Sequence, residues 1–311
     1  DVFIYAVSED VWSLLPMYIE TYTEEQMGCL LWSTLYMWGI EPSEWPKYMH
    51  GEDPSTIDPT DWECTPSLAV QDPIMLDGGK KARVVIRDDV YWSDGVKLTA
   101  RDVQFTFNTC TLNLAAKNSG YGDFVSQIKD VEYVNETCVD FILKYAIPMS
   151  DLKSVLSNDW GGGRIMPLHK LGKYMDHPGG MRTDPSNYDF GTPSSWLPVT
   201  GPYKMVECVP GDHMTFVRNP DYFGYDLGWG PHVNNFIIKW VPDPATRLIA
   251  LEKNEIDFGE YPTGPVSKFK ELMVGHPNIR VSQYLYPATN AIWFNLDHPD
   301  LSNRYLRLAI A

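Results

Sequence analysis

Residues 87–108 read RDDVYWSDGVKLTARDVQFTFN, and their chemistry prescribes a strand, a turn and a capped helix in succession. Leading into them, Ala82, Val84 and Ile86 alternate with Arg83, Val85 and Arg87, the period of two expected of a strand with one buried face. Asp94-Gly95 supplies turn residues that accept positive φ. Thr99 and Asp102 follow as a capping-box variant: the Thr oxygen can take an orphan backbone N–H, and the acid stands at the positive end of the helix. Val103, Phe107, Cys110 and Leu114 continue at helical spacing. The stretch is chiefly a folding device. Asp88, Asp89 and Asp94 beside its turn are solvated or capping carboxylates rather than acid–base catalysts.

Outward from this stretch the pattern is mixed α/β. Strands are expected at 2–7, 128–134, 138–144, 203–209, 213–218, 235–241, 279–286 and 290–295, with helices near 24–37, 150–157, 243–253 and 264–273. Asp243-Pro244 makes a cap and first-turn pair for the helix that carries Leu248 and Leu251. A last helix, Ser302 to Ala311, is entered through a Ser cap with Tyr305 and Leu308 on one face, and meets no Gly, Asn or Pro before the chain stops. The Pro-, Asp- and Trp-rich stretch between Trp38 and Pro66, and residues 176–198, read as long ordered loops.

Composition narrows the function. The 311 residues carry 44% hydrophobic residues, enough for about two domains with buried cores. Twenty-five basic against 41 acidic side chains give a formal charge of −16, which argues against a nucleic-acid partner. No run approaches the ~18 apolar residues of a membrane helix. The five cysteines (29, 64, 110, 138 and 208) contain no C-x-x-C pair, so neither a zinc ribbon nor a redox motif is supported. Buried thiols are expected, with a disulfide of unassigned connectivity as the alternative. Nucleotide-binding, hydrolase and zinc-protease motifs are missing, and the glycines at 161–163 read as a flexible turn. The seven His lack metal-binding spacing, so neither a resident metal nor a cofactor is expected. Eleven Trp, 18 Tyr and 12 Phe exceed what a core of this size needs, and several stand in polar loops (Trp12, Trp45, Trp160, Trp196), where rings can line a cleft for ligands with apolar faces.

Residues 87–108 resemble the signature block of the family 5 solute-binding proteins, the peptide and nickel receptors of ABC importers. Three further blocks fall in the family's order: TGPYKMVE with VRNPDYF at 200–223, ATRLIALEKNEIDF at 245–258, and NAIWFN followed by NRYLRLAIA at 290–311. The resemblance implies an α/β, periplasmic-binding-protein type II-like lobe with a mixed sheet flanked by helices, plus an inserted α+β subdomain, the second lobe being largely missing. It assigns 1–38 and 199–287 to lobe I, 39–198 to the insertion, and 288–311 to the hinge crossing and the start of a truncated lobe II. It also implies an exported monomer, held near the membrane by a lipid or tether upstream of Asp1 and partnered by an ABC permease.

Such receptors close two lobes around cargo, so contacts come from loops facing the cleft. By segment-level resemblance these are Ser8, Asp10 and Trp12 after the first strand, Tyr22 and Thr23 at the first helix, and Tyr121, Trp160 and Gly161 of the insertion. Tyr286 and Asn290 belong to the crossing between lobes. The cargo is a peptide or similar small organic solute, with oligosaccharide as the alternative that the Trp supply favours. A secreted glycoside hydrolase would use the same aromatic and acidic content, although carboxylate abundance nominates no catalytic pair. A sensor subunit feeding a membrane signalling partner is a third class.

Overall fold

The computed structural model describes residues 1–11, 21–40, 62–115, 125–157, 163–175, 196–259, 266–281 and 295–310. In chain order the strands are β1 (Val2–Val7), β2 (Tyr36–Ile40), β3 (Trp62–Pro66), β4 (Ile74–Leu76), β5 (Lys81–Val85), β6 (Ile128–Asn135), β7 (Cys138–Leu143), β8 (Tyr203–Val209), β9 (His213–Arg218), β10 (Asn235–Trp240) and β11 (Phe258–Gly259). The α-helices are α1 (Tyr22–Leu31), α2 (Ala100–Phe105), α3 (Met149–Leu156), α4 (Leu168–Met175), α5 (Pro244–Glu252), α6 (Val266–Gly275) and α7 (Arg304–Ile310). The fold is mixed α/β. One sheet runs β11-β1-β10-β9-β8, a second runs β4-β5-β7-β6, and β2 pairs with β3.

The first sheet is mixed because β1 is parallel to both β10 and β11, whereas β10, β9 and β8 are successive antiparallel neighbours. Its core face carries Tyr5, Phe216 and Ile238, with the Phe236 ring 6.4 Å from Tyr5 and 5.8 Å from Tyr203. The second sheet is antiparallel throughout. Ala82, Val84 and Ile86 are buried as their alternation requires, and Phe107 meets Phe141 edge-on at 5.0 Å over this sheet. Asp140 of the central strand β7 is buried yet satisfied: its Oδ1 accepts from Arg83 Nε at 2.7 Å, and Lys81 Nζ lies 2.8 Å from Oδ2.

The signature stretch folds as its residues dictate. Gly95 takes φ +85°, which a side chain would resist. The capping box is complete: Thr99 N donates to Asp102 Oδ2 at 2.8 Å and the Thr99 hydroxyl accepts from Arg101 N at 3.3 Å. Only the continuation departs from expectation, since after Phe105 the helix widens into π-helical turns over Thr106–Ala115. The Thr106 hydroxyl donates back to Asp102 O at 2.8 Å and accepts from Met166 N at 2.8 Å, so a side chain intrudes on the ladder where the pitch loosens.

Elsewhere the structure corrects four expectations. The helix near 24–37 ends at Leu31, because Ser33 is captured by Thr200 (N to Oγ1, 3.2 Å) and by Ile165, whose N–H donates to Ser33 O at 3.0 Å. The loop expected between Trp38 and Pro66 is bounded by paired strands β2 and β3. Residues 168–175, given no element by their pattern, form α4. The last helix begins at Arg304 with Asn303 Oδ1 accepting from Tyr305 N at 2.9 Å, while the Ser302 hydroxyl donates to Pro299 O at 2.6 Å. The strands expected at 279–286 and 290–295 lie almost wholly outside the described residues. All five cysteines are described and no disulfide joins any two of them. No helix among the described residues is long and apolar enough to cross a membrane.

Candidate functional site

The parallel strands β1, β10 and β11 end at one edge of the first sheet. Val7 is in register with Trp240 and Ala6 with Gly259, and Val241 N extends the ladder to Val7 O at 2.9 Å. β10 continues through Pro242-Asp243 into α5, which leads to β11 on the far side of β1. The chain therefore leaves neighbouring parallel strands in different directions at this edge, the arrangement that opens a crevice outside the carboxyl ends of an α/β sheet.

The loops after β1 and β10 are fastened by side chains. After β1, the Ser8 carbonyl accepts from Trp240 Nε1 at 3.2 Å and the Glu9 carbonyl accepts from the Thr23 hydroxyl at 3.0 Å. Asp10 Oδ1 takes Val11 N at 2.8 Å, and Oδ2 takes Gly211 N at 2.9 Å from the turn between β8 and β9. After β10, the buried Arg247 donates Nη1 to the carbonyls of Val241 and Pro242. Burial holds that guanidinium's pKa below its ordinary value, Asp243 opposing the shift. Asp243 itself caps α5, accepting Thr246 N at 2.7 Å. With these groups committed, the loops after β1 and β10 present tied backbone at this edge.

Of the sequence-derived candidates, the structure brings Ser8, Asp10, Tyr22 and Thr23 together through the Thr23–Glu9 bond. Thr23 is buried and Tyr22 is partly exposed beside it. The first turn of α1 is closed to incoming anions: the Thr21 hydroxyl takes Glu24 N at 3.2 Å, Glu24 Oε2 takes Thr21 N at 3.1 Å, and Glu25 adds a second acid. Trp12, Tyr121, Trp160, Gly161, Tyr286 and Asn290 lie outside the described residues. Sequence reasoning missed Trp240 and Arg247 as the residues that set the loops. Both stand inside ordinary-looking strand and helix patterns, and only the closure of β1 against β10 gives them a target.

Among the described residues no group of His, Cys, Asp and Glu is placed to hold a metal ion. Asp102 has its pKa raised by burial, but its oxygens face the N–H groups of Thr99 and Leu168, so it is an internal cap turned away from any substrate.

Comparisons with known proteins bear on this arrangement. A profile of the "Bacterial extracellular solute-binding proteins, family 5 Middle" matches residues 63–311. Protein XP55 of Streptomyces lividans is 29% identical over 213 residues, 68% of this chain and 34% of its own length. Among solved structures, NikZ from Campylobacter jejuni in complex with Ni(L-His) superposes with a TM-score of 0.71 at 23% identity, over 99% of this chain and 52% of that one. The oligopeptide-binding protein AppA from Bacillus subtilis, in complex with a nonapeptide, gives 0.66 at 22% identity over 88% and 46%. The chain thus spans a third to a half of the length of these proteins and shares the fold of the two solved structures.

Proposed function

The chain belongs to the family 5 bacterial extracellular solute-binding proteins, and from that membership we propose that it serves outside the cytoplasm as the substrate-binding component of an ABC importer. It captures a peptide or similar small organic solute for a membrane permease. The observation that carries the reading is the carboxyl edge of β1, β10 and β11, where the loop after β1 is tied by Trp240 and Thr23 and the loop after β10 by Arg247. A receptor needs such a preorganised platform, because ordering loops on binding would subtract from affinity.

Within this reading, β1 and β8–β11 form the principal lobe (1–38 and 199–287) and β4–β7 belong to the insertion (39–198), with the boundary falling inside β2; residues 288–311 enter the crossing to a second lobe. Tyr22 and the Ser8–Val11 loop contact solute from this side, with Trp12 and Trp160 adding ring surfaces. XP55's relatedness identifies no cargo. The nonapeptide bound by AppA makes peptides the first solutes to try.

The test is a thermal-shift screen of the purified protein against di- to pentapeptides and α- or β-linked oligosaccharides, since a solute that prefers the folded state raises the melting temperature. A shift with peptides supports the reading, and a shift with sugars alone moves the cargo to oligosaccharide. Turnover of chromogenic glycosides, abolished by one carboxylate substitution, would replace the receptor with a hydrolase.

A further inference from the structure

Arg164 lies fully buried against the backbone of α1. A Cβ on Gly28 would stand 2.6 Å from its Cζ, so the guanidinium occupies the notch this glycine leaves. Nη2 donates to Glu25 O at 2.9 Å and to Cys29 Sγ at 3.0 Å, whereas Nε and Nη1 have no hydrogen-bond partner among the described residues. Among the described residues no carboxylate pairs with this cation. A buried charge in that position draws an anion to itself, and the ionisable group it touches is the Cys29 thiol on an exposed residue.

The other four cysteines make the contrast. Cys64, Cys110 and Cys138 are buried and Cys208 is half-buried, and burial pushes all four thiols up, which suits inert packing. Cys29 alone combines access with a neighbouring guanidinium. Among the described residues, Glu25, one turn earlier on the same helix, is a charge that opposes it.

We infer that Cys29 is a reactive thiol and a modification site for low-molecular-weight disulfides, with Arg164 as the positioning cation that favours its thiolate. The Cys29 thiolate attacks one sulfur of R–S–S–R. A new S–S bond forms to Sγ as the old one breaks, and RS⁻ leaves and takes a proton from water.

Incubation with cystine, followed by peptide mapping, reads the adduct, and iodoacetamide alkylation reads the rate at each cysteine. At pH 6.5, Cys29 is expected to react at least ~10-fold faster than Cys208, and Arg164→Met to reduce that rate at least ~3-fold. Should Arg164→Met fail to fold, the pH–rate profile of the unsubstituted protein decides. An activated Cys29 keeps most of its rate from pH 8.5 to 6.5, whereas an ordinary thiol with pKa about 8.5 loses about tenfold per pH unit. Equal rates at Cys29 and Cys208, an ordinary profile, or a folded Arg164→Met protein with unchanged Cys29 rate would each overturn the assignment.

Discussion

The Asp102 carboxylate accepts the Leu168 amide at 3.0 Å through Oδ1 while its Oδ2 accepts the Thr99 amide at 2.8 Å. One buried side chain therefore caps α2 and also holds the start of α4, 66 residues further along the chain. The segment leading into α4 is fixed beside it, because Met166 N donates to the Thr106 hydroxyl. The most recognisable motif in the sequence thus orders a neighbouring segment of chain.

Asp102→Ala is expected to cost about 1–3 kcal/mol at acid pH and less at neutral pH, since it strands two part-buried donors and removes a cap. Urea denaturation measures the loss. The pH dependence has a definite sign. Burial raises the Asp102 pKa in the folded state, so its favourable contribution is complete below the unfolded value of 3.8 and is lost as pH rises through the folded value. The unsubstituted protein pays that ionisation cost at neutral pH, and Asp102→Ala does not.

Asp140 carries the opposite sign. Hydrogen bonding from Arg83 lowers its pKa in the folded state, so the stability it provides is present above 3.8 and disappears as pH falls through the lower folded value. Asp140→Asn is expected to destabilise by about 1–2 kcal/mol at pH 7, Arg83 being partly exposed and able to regain water. The gap between the two proteins should narrow as pH falls below 3.8, as thermal melts from neutral to acid pH will report.

Gly201 of the TGPYKMVE block packs directly on α1: a Cβ there would stand 2.6 Å from Leu30 O and from Leu31 C. Backbone cannot yield as a side-chain tip can, so Gly201→Ala is expected to cost about 2–3 kcal/mol. Asn219 Nδ2 also donates to Gly201 O at 2.9 Å, linking the two halves of the block. An unchanged melting temperature would contradict the close approach.

Thr23→Val keeps the shape and removes the donor to Glu9 O. It is expected to lower stability by about 1 kcal/mol and to speed amide exchange over Ser8–Val11 by releasing one of the ties on that loop. Unaltered exchange there would show that Trp240 and Asp10 suffice.

Local chemistry was legible in the sequence wherever it was self-contained. β1, β8 and β9 sit where their alternation put them, and both the Thr99–Asp102 box and the Asp243 cap formed as written. What escaped depends on partners distant in the chain. Ser33 leaves the helix because Thr200 and Ile165 take its polar groups. β2 exists because β3 lies opposite it, each strand being too short to announce itself. Ser302 and Asn303 are both good caps, and only the position of the Pro299 carbonyl selects between them. The candidate site was legible as segments. That Ser8, Asp10 and Thr23 belong together was not, because the hydroxyl of Thr23 reaches across 14 residues and the indole of Trp240 across 232.

Hydrogen–deuterium exchange, compared with and without a solute that raises the melting temperature, tests the central claim most directly. If solute is held at the carboxyl edge of β1, β10 and β11, protection on binding will concentrate in residues 8–11, 22–25 and 240–243. Protection confined to the β4–β7 sheet, with those three segments unchanged, would contradict it.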